Sequence, residues 1–437
     1  MSFIKGKGDV RLVLFITVDC LRNDYFLRFA RFATSFFSRS GNLFANVYTH
    51  GVGTPAAFPA ILTSTYPLMF SAYPGVGSTR QSLAEVFRSL GFYTVGLVPN
   101  PYLSTYYGYN RGFNLYFDYL PTKLIERVTL YVKSRQFVDI SVSKLSQMLT
   151  PYVKGFLLVG LAKYILKKLL TDKSIRKVFM WIHYMDVHAP LAPSQGITLR
   201  EYFYSIFAPA GDRLLNRNAI TQLYTRAVTE IDSYFKVLIE FLEDLKLLEN
   251  TVVVFTSDHG EELLEDGVYG HPPIHSEHTL HVPLGVYPRV VDSRAVINSL
   301  KGLIDLAPSL LDLLGFGNVL RQLPWYGEPS LFSEVGRDFI IAETGHTSKS
   351  NEIKDEHLKY SIITSDRILT YKPFDKIIII RNKYNNKIEN VCRESCPAEI
   401  NRYISLIQRH MKLEAESRLI ERIKRVKQKI ANRLNVA

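Results

Sequence analysis

Several stretches of this chain are continuous apolar runs that stop abruptly at a polar residue. Val252 to Thr256 is one, broken at Ser257 and followed by Asp258, His259 and Gly260. Runs of this kind, free of Gly and Pro and rich in β-branched residues, suit strands buried on both faces of a parallel sheet. Arg11 to Val18 is a second run and ends at Asp19. Val178 to Tyr184 is a third and delivers Asp186 and His188 ahead of Pro190, and Tyr93 to Val98 is a further strand. Between them the apolar period changes to that of a helix. Residues 25–38 and 81–90 read as helices, and Ala219 to Leu245 places Leu223, Ala227, Val228, Ile231, Phe235, Leu238 and Leu242 on one stripe. Residues 295–315 read as helical, with Gly315 as a C-terminal cap. Strands alternating with helices predict an α/β fold with a mostly parallel sheet.

The rest of the chain departs from that alternation. Residues 119–177 mix apolar clusters with lysines and read as an insertion or lid. Within them Gly155 to Ala162 is too short to span a membrane and suits a buried, lid or membrane-surface helix. Asp338 to Asn390 is β-rich. Asn401 to Ala437 is a basic helix whose stripe of Leu413, Ile420, Ile423, Ile430 and Leu434 suits docking on the body or pairing with another chain. The expected division is therefore a catalytic α/β domain over 1–330, a small C-terminal subdomain over 331–400 and a basic amphipathic helical tail over 401–437.

Composition narrows the setting. Across 437 residues the hydrophobic share is 47% and the charged share 22%, as in an ordinary folded protein. The net charge of +12 is gathered between Lys123 and Lys177 and after Lys412, and suits an acidic partner such as nucleic acid, anionic lipid or a phosphate ester. Three cysteines, Cys20, Cys392 and Cys396, are too few for a disulfide framework. Cys392 and Cys396 could pair, although two solvent-side thiols better suit a reducing cytosol. The first residues lack a signal-peptide hydrophobic region. Residues 40–79 carry no Asp, Glu, Lys or Arg, but Pro55, Pro59, Pro67 and Pro74 break any spanning helix there. A soluble, cytoplasmic protein is expected.

The chemistry gathers at the carboxyl ends of the strands, where ligands of open parallel sheets collect. Asp19 and the Asp258–His259 pair meet there, with Cys20 expected to point elsewhere because strand side chains alternate. Gly51 and Gly53 mark a tight turn before Thr54 and Pro55, which suits the first turn of a helix. Thr54 is then either a simple helix cap or a hydroxyl set among unpaired N–H groups that favour an anion. Two carboxylates, an imidazole and a hydroxyl suit manganese or zinc better than calcium. His188, His271 and His275 stand nearby as candidates to bind anionic oxygens or protonate a leaving group.

The order and spacing of several motifs resemble the sulfatase-like branch of the alkaline phosphatase superfamily. They are Ile16-Thr-Val-Asp-Cys-Leu-Arg-Asn-Asp24, Thr54-Pro-Ala-Ala-Phe-Pro-Ala-Ile-Leu-Thr-Ser-Thr-Tyr-Pro67, Ser82-Leu-Ala-Glu-Val-Phe-Arg-Ser-Leu-Gly-Phe-Tyr-Thr94 and Arg111-Gly-Phe-Asn114. They continue with His183-Tyr-Met-Asp-Val-His-Ala-Pro190, Phe255-Thr-Ser-Asp-His-Gly-Glu261, Val282-Pro-Leu284 and the stretch from Ile304 to Gly315. The resemblance implies an αβα sandwich with a smaller C-terminal α+β subdomain, and metal-dependent cleavage of sulfate, phosphate or phosphonate esters. It implies Asp19, Asp258 and His259 as metal ligands, Thr54 as the nucleophile, itself on the metal, and His188 as a contact for substrate oxygens. The sequence also departs from the arylsulfatases of that branch. Their nucleophile is a Cys or Ser oxidised to formylglycine within Cys/Ser-x-Pro-x-Arg. Here Thr54 cannot form that aldehyde, and Phe58 stands where the Arg would be. Cys20 replaces a calcium-binding Asp, and His259 replaces an Asn.

The expected activity is metal-dependent hydrolysis of a small anionic phosphate or phosphonate ester. The alternatives are a sulfuric ester hydrolase, a membrane-surface headgroup transferase and a non-catalytic scaffold. One divalent ion per chain is expected, with His188, His271 and His275 on the substrate and Asp186 orienting an imidazole. No nucleic acid partner is expected; the basic segments allow weak peripheral membrane contact, and the C-terminal helix offers a surface for homo-oligomer formation.

Overall fold

The structure is a computed structural model that describes residues 10–70, 75–77, 79–118, 153–191, 213–334, 336–346, 353–393 and 397–434. Its organising strand is Leu12–Val18 (β1), buried at every position. Leu12, Leu14, Ile16 and Val18 enter one apolar core, while Val13 and Phe15 enter another. That is the period of two expected of a strand covered on both faces. Around it lie Asn42–Phe44 (β2), Tyr93–Leu97 (β3), Leu115–Phe117 (β4), Val178–Tyr184 (β5), Thr251–Ser257 (β6) and Leu284–Tyr287 (β7). They form a seven-stranded sheet in the order β2-β7-β6-β1-β5-β3-β4. All neighbours are parallel except β7, which runs antiparallel to β6 and β2.

Helices cover both faces. Asn23–Phe29 (α1) and Arg31–Ser40 (α2) share one core with Gly155–Thr171 (α5) and Arg213–Asp244 (α6). Thr54–Thr63 (α3), Leu83–Ser89 (α4) and Leu306–Leu313 (α7) lie against the opposite face. The result is the expected αβα sandwich. Two helices are more broken than their apolar period predicts. Residues 25–38 form α1 and α2 on either side of Ala30. Residues 295–315 are interrupted because Lys301 and Gly302 pair in parallel with Val47 and Tyr48. Gly315 has the positive φ expected of a C-terminal cap.

The segment expected as an insertion or lid over 119–177 is different where it is described. Residues 119–152 lie outside the described residues. Helix α5, however, buries Phe156, Leu157, Leu158, Val159, Leu161, Ile165 and Leu166 against β1, β5 and α6. It is a core helix, because its apolar residues face the sheet rather than a cleft. Among the described residues, no helix is long and apolar enough to cross a membrane.

A second sheet follows, built from Ile340–Thr344 (β8), Lys359–Ile363 (β9), Arg367–Lys372 (β10), Ile377–Asn382 (β11) and Ile388–Cys392 (β12), antiparallel and in sequence order. Cys392 is buried in its apolar cluster, not solvent-side as expected, while Cys396 lies outside the described residues. Helix Ala398–Leu434 (α8) packs on this sheet by a face different from the one its apolar period suggested. Leu413, Ile420 and Ile423 are exposed, whereas Ile400, Ile407, His410, Glu414, Ser417 and Glu421 are buried. The side chains of Ile430 and Leu434 lie outside the described residues. The buried face is mixed: Ile400 and Ile407 join the apolar clusters of the sheet, while its polar residues complete a network in which His410 Nε2 lies 2.6 Å from Glu343 Oε2 and 3.2 Å from Glu414 Oε1, and the Tyr360 hydroxyl donates to Glu414 Oε2 at 2.9 Å.

Burial alone lowers an imidazole pKa, but the Glu343 and Glu414 carboxyls outweigh it and raise His410 to about 10. A pKa raised from an unfolded value of about 6.5 stabilises the fold below that pH and loses its contribution as pH rises toward about 10. The thermal midpoint should therefore fall between pH 6.5 and pH 10. In His410→Gln that slope should flatten, and the variant should be less stable by about 3 kcal/mol at neutral pH. An unchanged slope in the variant would exclude His410 as its source.

Candidate active site

Three parallel strands end at one level. The register pairs Val18 of β1 with Tyr184 of β5 on one side and with Ser257 of β6 on the other. The residues that follow β1 and β6 are Asp19 and Asp258, so the register itself sets two carboxylates side by side. Ser257 fastens the two ends: its hydroxyl lies 2.7 Å from the carbonyl oxygens of Val18 and His259 and accepts the Leu21 N–H at 3.0 Å. Asp258 Oδ1 accepts the N–H groups of Cys20 (3.2 Å) and His259 (2.8 Å), which leaves Oδ2 for the site. His259 Nε2 lies 3.5 Å from Asp258 Oδ2 and 3.7 Å from Asp19 Oδ1, while its Nδ1 is held 2.9 Å from the Gly260 carbonyl.

Thr54 opens helix α3, but its side chain makes no helix cap; Gly53 occupies the cap position at φ 92. Glycine suits that left-handed backbone, and a Cβ there would come within 3.2 Å of His346 Nε2. The Thr54 hydroxyl donates to Asp19 Oδ2 at 3.1 Å. The same oxygen accepts Asn100 Nδ2 at 2.7 Å and lies 3.3 Å from His183 Nε2. The structure thus brings Asp19, Thr54, Asp258 and His259 together and adds Asn100 and His183. Their signals were available: Asn100 comes three residues after the end of β3, at the same sheet edge as Asp19, and Thr17, Trp181 and His183 are polar groups in apolar strands. The three are joined, since Thr17 Oγ1 lies 2.8 Å from both His183 Nδ1 and Trp181 Nε1.

Cys20 does not point away. The strand has ended at Val18, so alternation no longer governs it, and the backbone turns at φ 62. Its thiol donates to Asp19 Oδ1 at 3.0 Å and lies 3.5 Å from His271 Nδ1. The rings of His188 and His271 are 5.0 Å apart, and those of His259 and His271 4.7 Å. His188 Nδ1 is tied to the Ala189 carbonyl, and His271 Nδ1 lies 3.4 Å from Glu261 Oε1.

Two expectations are corrected. His275 does not face the substrate side: its ring nitrogens contact the hydroxyls of Ser361 and Thr344 in the second sheet. Two neutral hydroxyls satisfy a buried imidazole, so it joins sheet to loop. Asp186 is engaged elsewhere: its oxygens accept the Gly155 N–H at 3.0 and 3.2 Å, where helix α5 begins. An unpaired helix N-terminus attracts a carboxylate more strongly than a ring two residues away.

The electrostatics suit a cation. Burial raises the Asp258 pKa well above the ordinary carboxylate range, and the charge of Asp19 adds to the effect. Burial also opposes ionisation of Asp19, yet His188, His183 and His259 hold its pKa well below that range. Two adjacent buried carboxylates therefore do not both ionise without compensation. Asp258 Oδ2 and His259 Nε2 are buried and, among the described residues, have no hydrogen-bond partner. Ligands about 2.1 Å from a tetrahedral ion stand about 3.4 Å apart, close to the 3.5 and 3.7 Å separations here. Asp19, Asp258 and His259, with the Thr54 hydroxyl beside them, fit a divalent ion.

A mostly parallel sheet with this site at its carboxyl edge defines an alkaline-phosphatase-like architecture. Residues 11–316 match the Sulfatase family model, so the chain belongs to the sulfatase family. Arylsulfatase K of Gallus gallus is 31% identical over 121 residues, a match that covers 28% of this chain and only 22% of that protein. Two solved structures share the fold at low identity. The phosphonate monoester hydrolase from Silicibacter pomeroyi has a TM-score of 0.64 at 16% identity, over 93% of this chain and 96% of that one. A 2-O GAG sulfatase has a TM-score of 0.60 at 13% identity, over 94% and 92%.

The corrected geometry has a direct check. Asp258→Ala and His259→Ala should each lower bound zinc or manganese by one equivalent per chain, as measured by elemental analysis after gel filtration. Asp186→Ala and His275→Ala should keep the wild-type metal content. Asp186→Ala should still lose about 1 kcal/mol of stability with the helix terminus it caps. Metal loss in Asp186→Ala would return that residue to the site.

Proposed function

We propose that this chain hydrolyses phosphate or phosphonate esters with Thr54 as the nucleophile. The observation that carries the reading is the placement of Thr54 Oγ1. It is buried at the start of α3, free of capping duty, and directed at Asp19 beside the candidate metal ligands. A divalent ion, when bound, supplies Lewis-acid polarisation and lowers the pKa of a hydroxyl within its reach. The family assignment and the phosphonate monoester hydrolase fold support an ester substrate.

The chain's own groups divide the remaining work. Asp19 Oδ2 accepts the Thr54 hydroxyl hydrogen, which leaves the oxygen lone pairs of Oγ1 to attack. Asn100 Nδ2, 2.7 Å from Asp19 Oδ2 and 3.4 Å from Thr54 Oγ1, fixes both groups in that orientation. In-line attack forms the Oγ1–P bond and breaks the bond from phosphorus to the ester oxygen. Thr54 gives up one proton and the departing oxygen gains one. His271 is the donor for that oxygen: although burial lowers an imidazole pKa, Glu261 outweighs it and keeps His271 protonated more readily than usual. Water then attacks phosphorus and loses one proton to His271, the Oγ1–P bond breaks, and Asp19 returns a proton to Thr54 Oγ1. His188 stands beside His271 to bind peripheral oxygens of the ester.

A panel of aryl phosphate, phosphonate and sulfate mono- and diesters tests the reading with zinc or manganese supplied. Phosphorus esters should turn over, and Thr54→Ala should lower kcat by at least about a thousandfold, the scale of losing a nucleophile. Thr54→Ser should retain turnover, and a quench during turnover should trap phosphate on Thr54. Full activity in Thr54→Ala, or turnover of sulfate esters alone, would overturn the assignment.

A further inference from the structure

Only one of the two sides of helix α8 is accounted for by the fold. The helix runs from Ala398 to Leu434, 37 residues or about 55 Å at 1.5 Å per residue. Its docked side sets His410, Glu414, Ser417 and Glu421 at intervals of four, three and four, and all four are buried. The opposite side carries Leu413, Leu419, Ile420, Ile423 and Val426, which are 37–58% exposed. Single exposed apolar residues are ordinary, but five large aliphatic side chains on one side of one helix form a patch. Among the described side chains of α8, Glu421 is the last that is buried. Arg422, Ile423, Lys424, Val426 and Lys427 beyond it are all exposed.

A fully solvated helix would have no use for that patch. Helices in proteins draw most of their stability from burying an apolar side, and the last turns of α8 do not bury theirs against the body. The charge of the same segment says what covers it. Residues 418–434 hold seven Lys or Arg against a single acid, Glu421, and that acid lies on the docked side. Lys412, Lys424 and Lys427 stand exposed along the apolar side. The sequence leaves two occupants open, a second copy of the helix and an anionic lipid surface. A second copy brings the same cations together with no exposed acid in 418–434 to pair with them. Lys427, seven residues after Ile420, would also fall in the seam of a paired coil.

We propose that α8 from Leu413 onward is a peripheral membrane contact that takes an anionic bilayer surface. The aliphatic stripe enters the boundary between headgroups and acyl chains, and the Lys and Arg heads meet the lipid phosphates. Lysine suits the position, since its stem lies along apolar surface while its ammonium reaches outward. The docked side stays on the second sheet, so the helix holds the body with one side and the lipid with the other. No residue of the active site takes part. A soluble polyanion such as nucleic acid would use the cations but not the aliphatic stripe, which separates it from lipid.

The experiment is co-sedimentation of the full chain with vesicles at low salt. Phosphatidylcholine vesicles carrying about a third phosphatidylglycerol should carry the chain down, and phosphatidylcholine alone should not. Raising the salt to about 0.5 M should release it. Lys424→Gln with Lys427→Gln should weaken the partition at least about tenfold, and Leu419→Ser with Ile423→Ser by about the same factor. Lys424→Arg with Lys427→Arg should bind as the wild type does, a rescue that loss of folding cannot imitate. Without lipid, gel filtration with light scattering should give one chain per particle. A dimer that Leu419→Ser with Ile423→Ser dissociates would give the stripe to a second copy and overturn the proposal. Failure to sediment with anionic vesicles would leave the stripe to a protein partner and overturn it too. Equal sedimentation with neutral vesicles, or binding that survives loss of the two aliphatic residues, would do the same. None of these readings depends on turnover, so they are separable from the fate of the Thr54 assignment.

Discussion

The structure depends on one electrostatic constraint: two buried carboxylates, Asp19 and Asp258, are forced together by strand register. Val18 and Ser257 are partners in the sheet, so the residues that follow them emerge at the same height. Burial disfavours both charges, and each charge disfavours the other. Around this point the chain collects imidazoles and an amide. His183 and Asn100 meet Asp19 Oδ2, while His259 meets Asp19 Oδ1 and Asp258 Oδ2. His188, His183 and His259 hold the Asp19 pKa well below the carboxylate range, but the orphaned Asp258 Oδ2 and His259 Nε2 show that the protein alone does not balance the site. A cation does.

Sheet ends splay unless something ties them, and the ties here are unusually polar for a fully buried location. Ser257 bridges the ends of β1 and β6, and Tyr224 of α6 reaches over to the Cys20 carbonyl and the Arg22 N–H. Helix α6 therefore does more than cover the sheet. Through Tyr224 it fixes the backbone turn that aims both Asp19 and Cys20, which is how a packing element far along the chain sets ligand geometry.

The strands that end at Asp19 and Asp258 were legible because a both-faces-buried strand is a simple pattern, and because ligand sites lie at the carboxyl ends of such strands. For that reason Asp19, Asp258 and His259 could be placed at one sheet edge, where the structure sets them beside Thr54 of α3. Cys20 was misread because alternation was extended one residue past the strand, where φ turns positive. Asp186 was misread because sequence spacing cannot show that the start of α5 lies against it. His275 failed for a similar reason: its hydroxyl partners, Thr344 and Ser361, come from a sheet about seventy or more residues later. Asn100 and His183 went unnoticed because a single amide or a histidine within a strand looks like filler until the register is known. Helix α8 was legible as a helix but not in its orientation, since the face that packs sets His410, Glu414 and Ser417 beside Ile400 and Ile407.

That face connects the tail to the site. Glu343 lies in β8, where its N–H meets the His50 carbonyl, its Oε1 accepts the Leu68 N–H, and its Oε2 meets His410 of α8. Three residues on is His346, whose pKa is lowered to about 4, first by burial and then by His271 and His259. Its ring also borders Gly53, the residue that positions Thr54. The second sheet is thus not an appendage: it carries an imidazole to the roof of the cleft, and α8 locks the strand that carries it. A buried polar network is worth keeping only if all its members are satisfied. The polar residues of α8 supply Glu343 with His410, and an apolar stripe in their place would have left the Glu343 carboxylate buried without its cation.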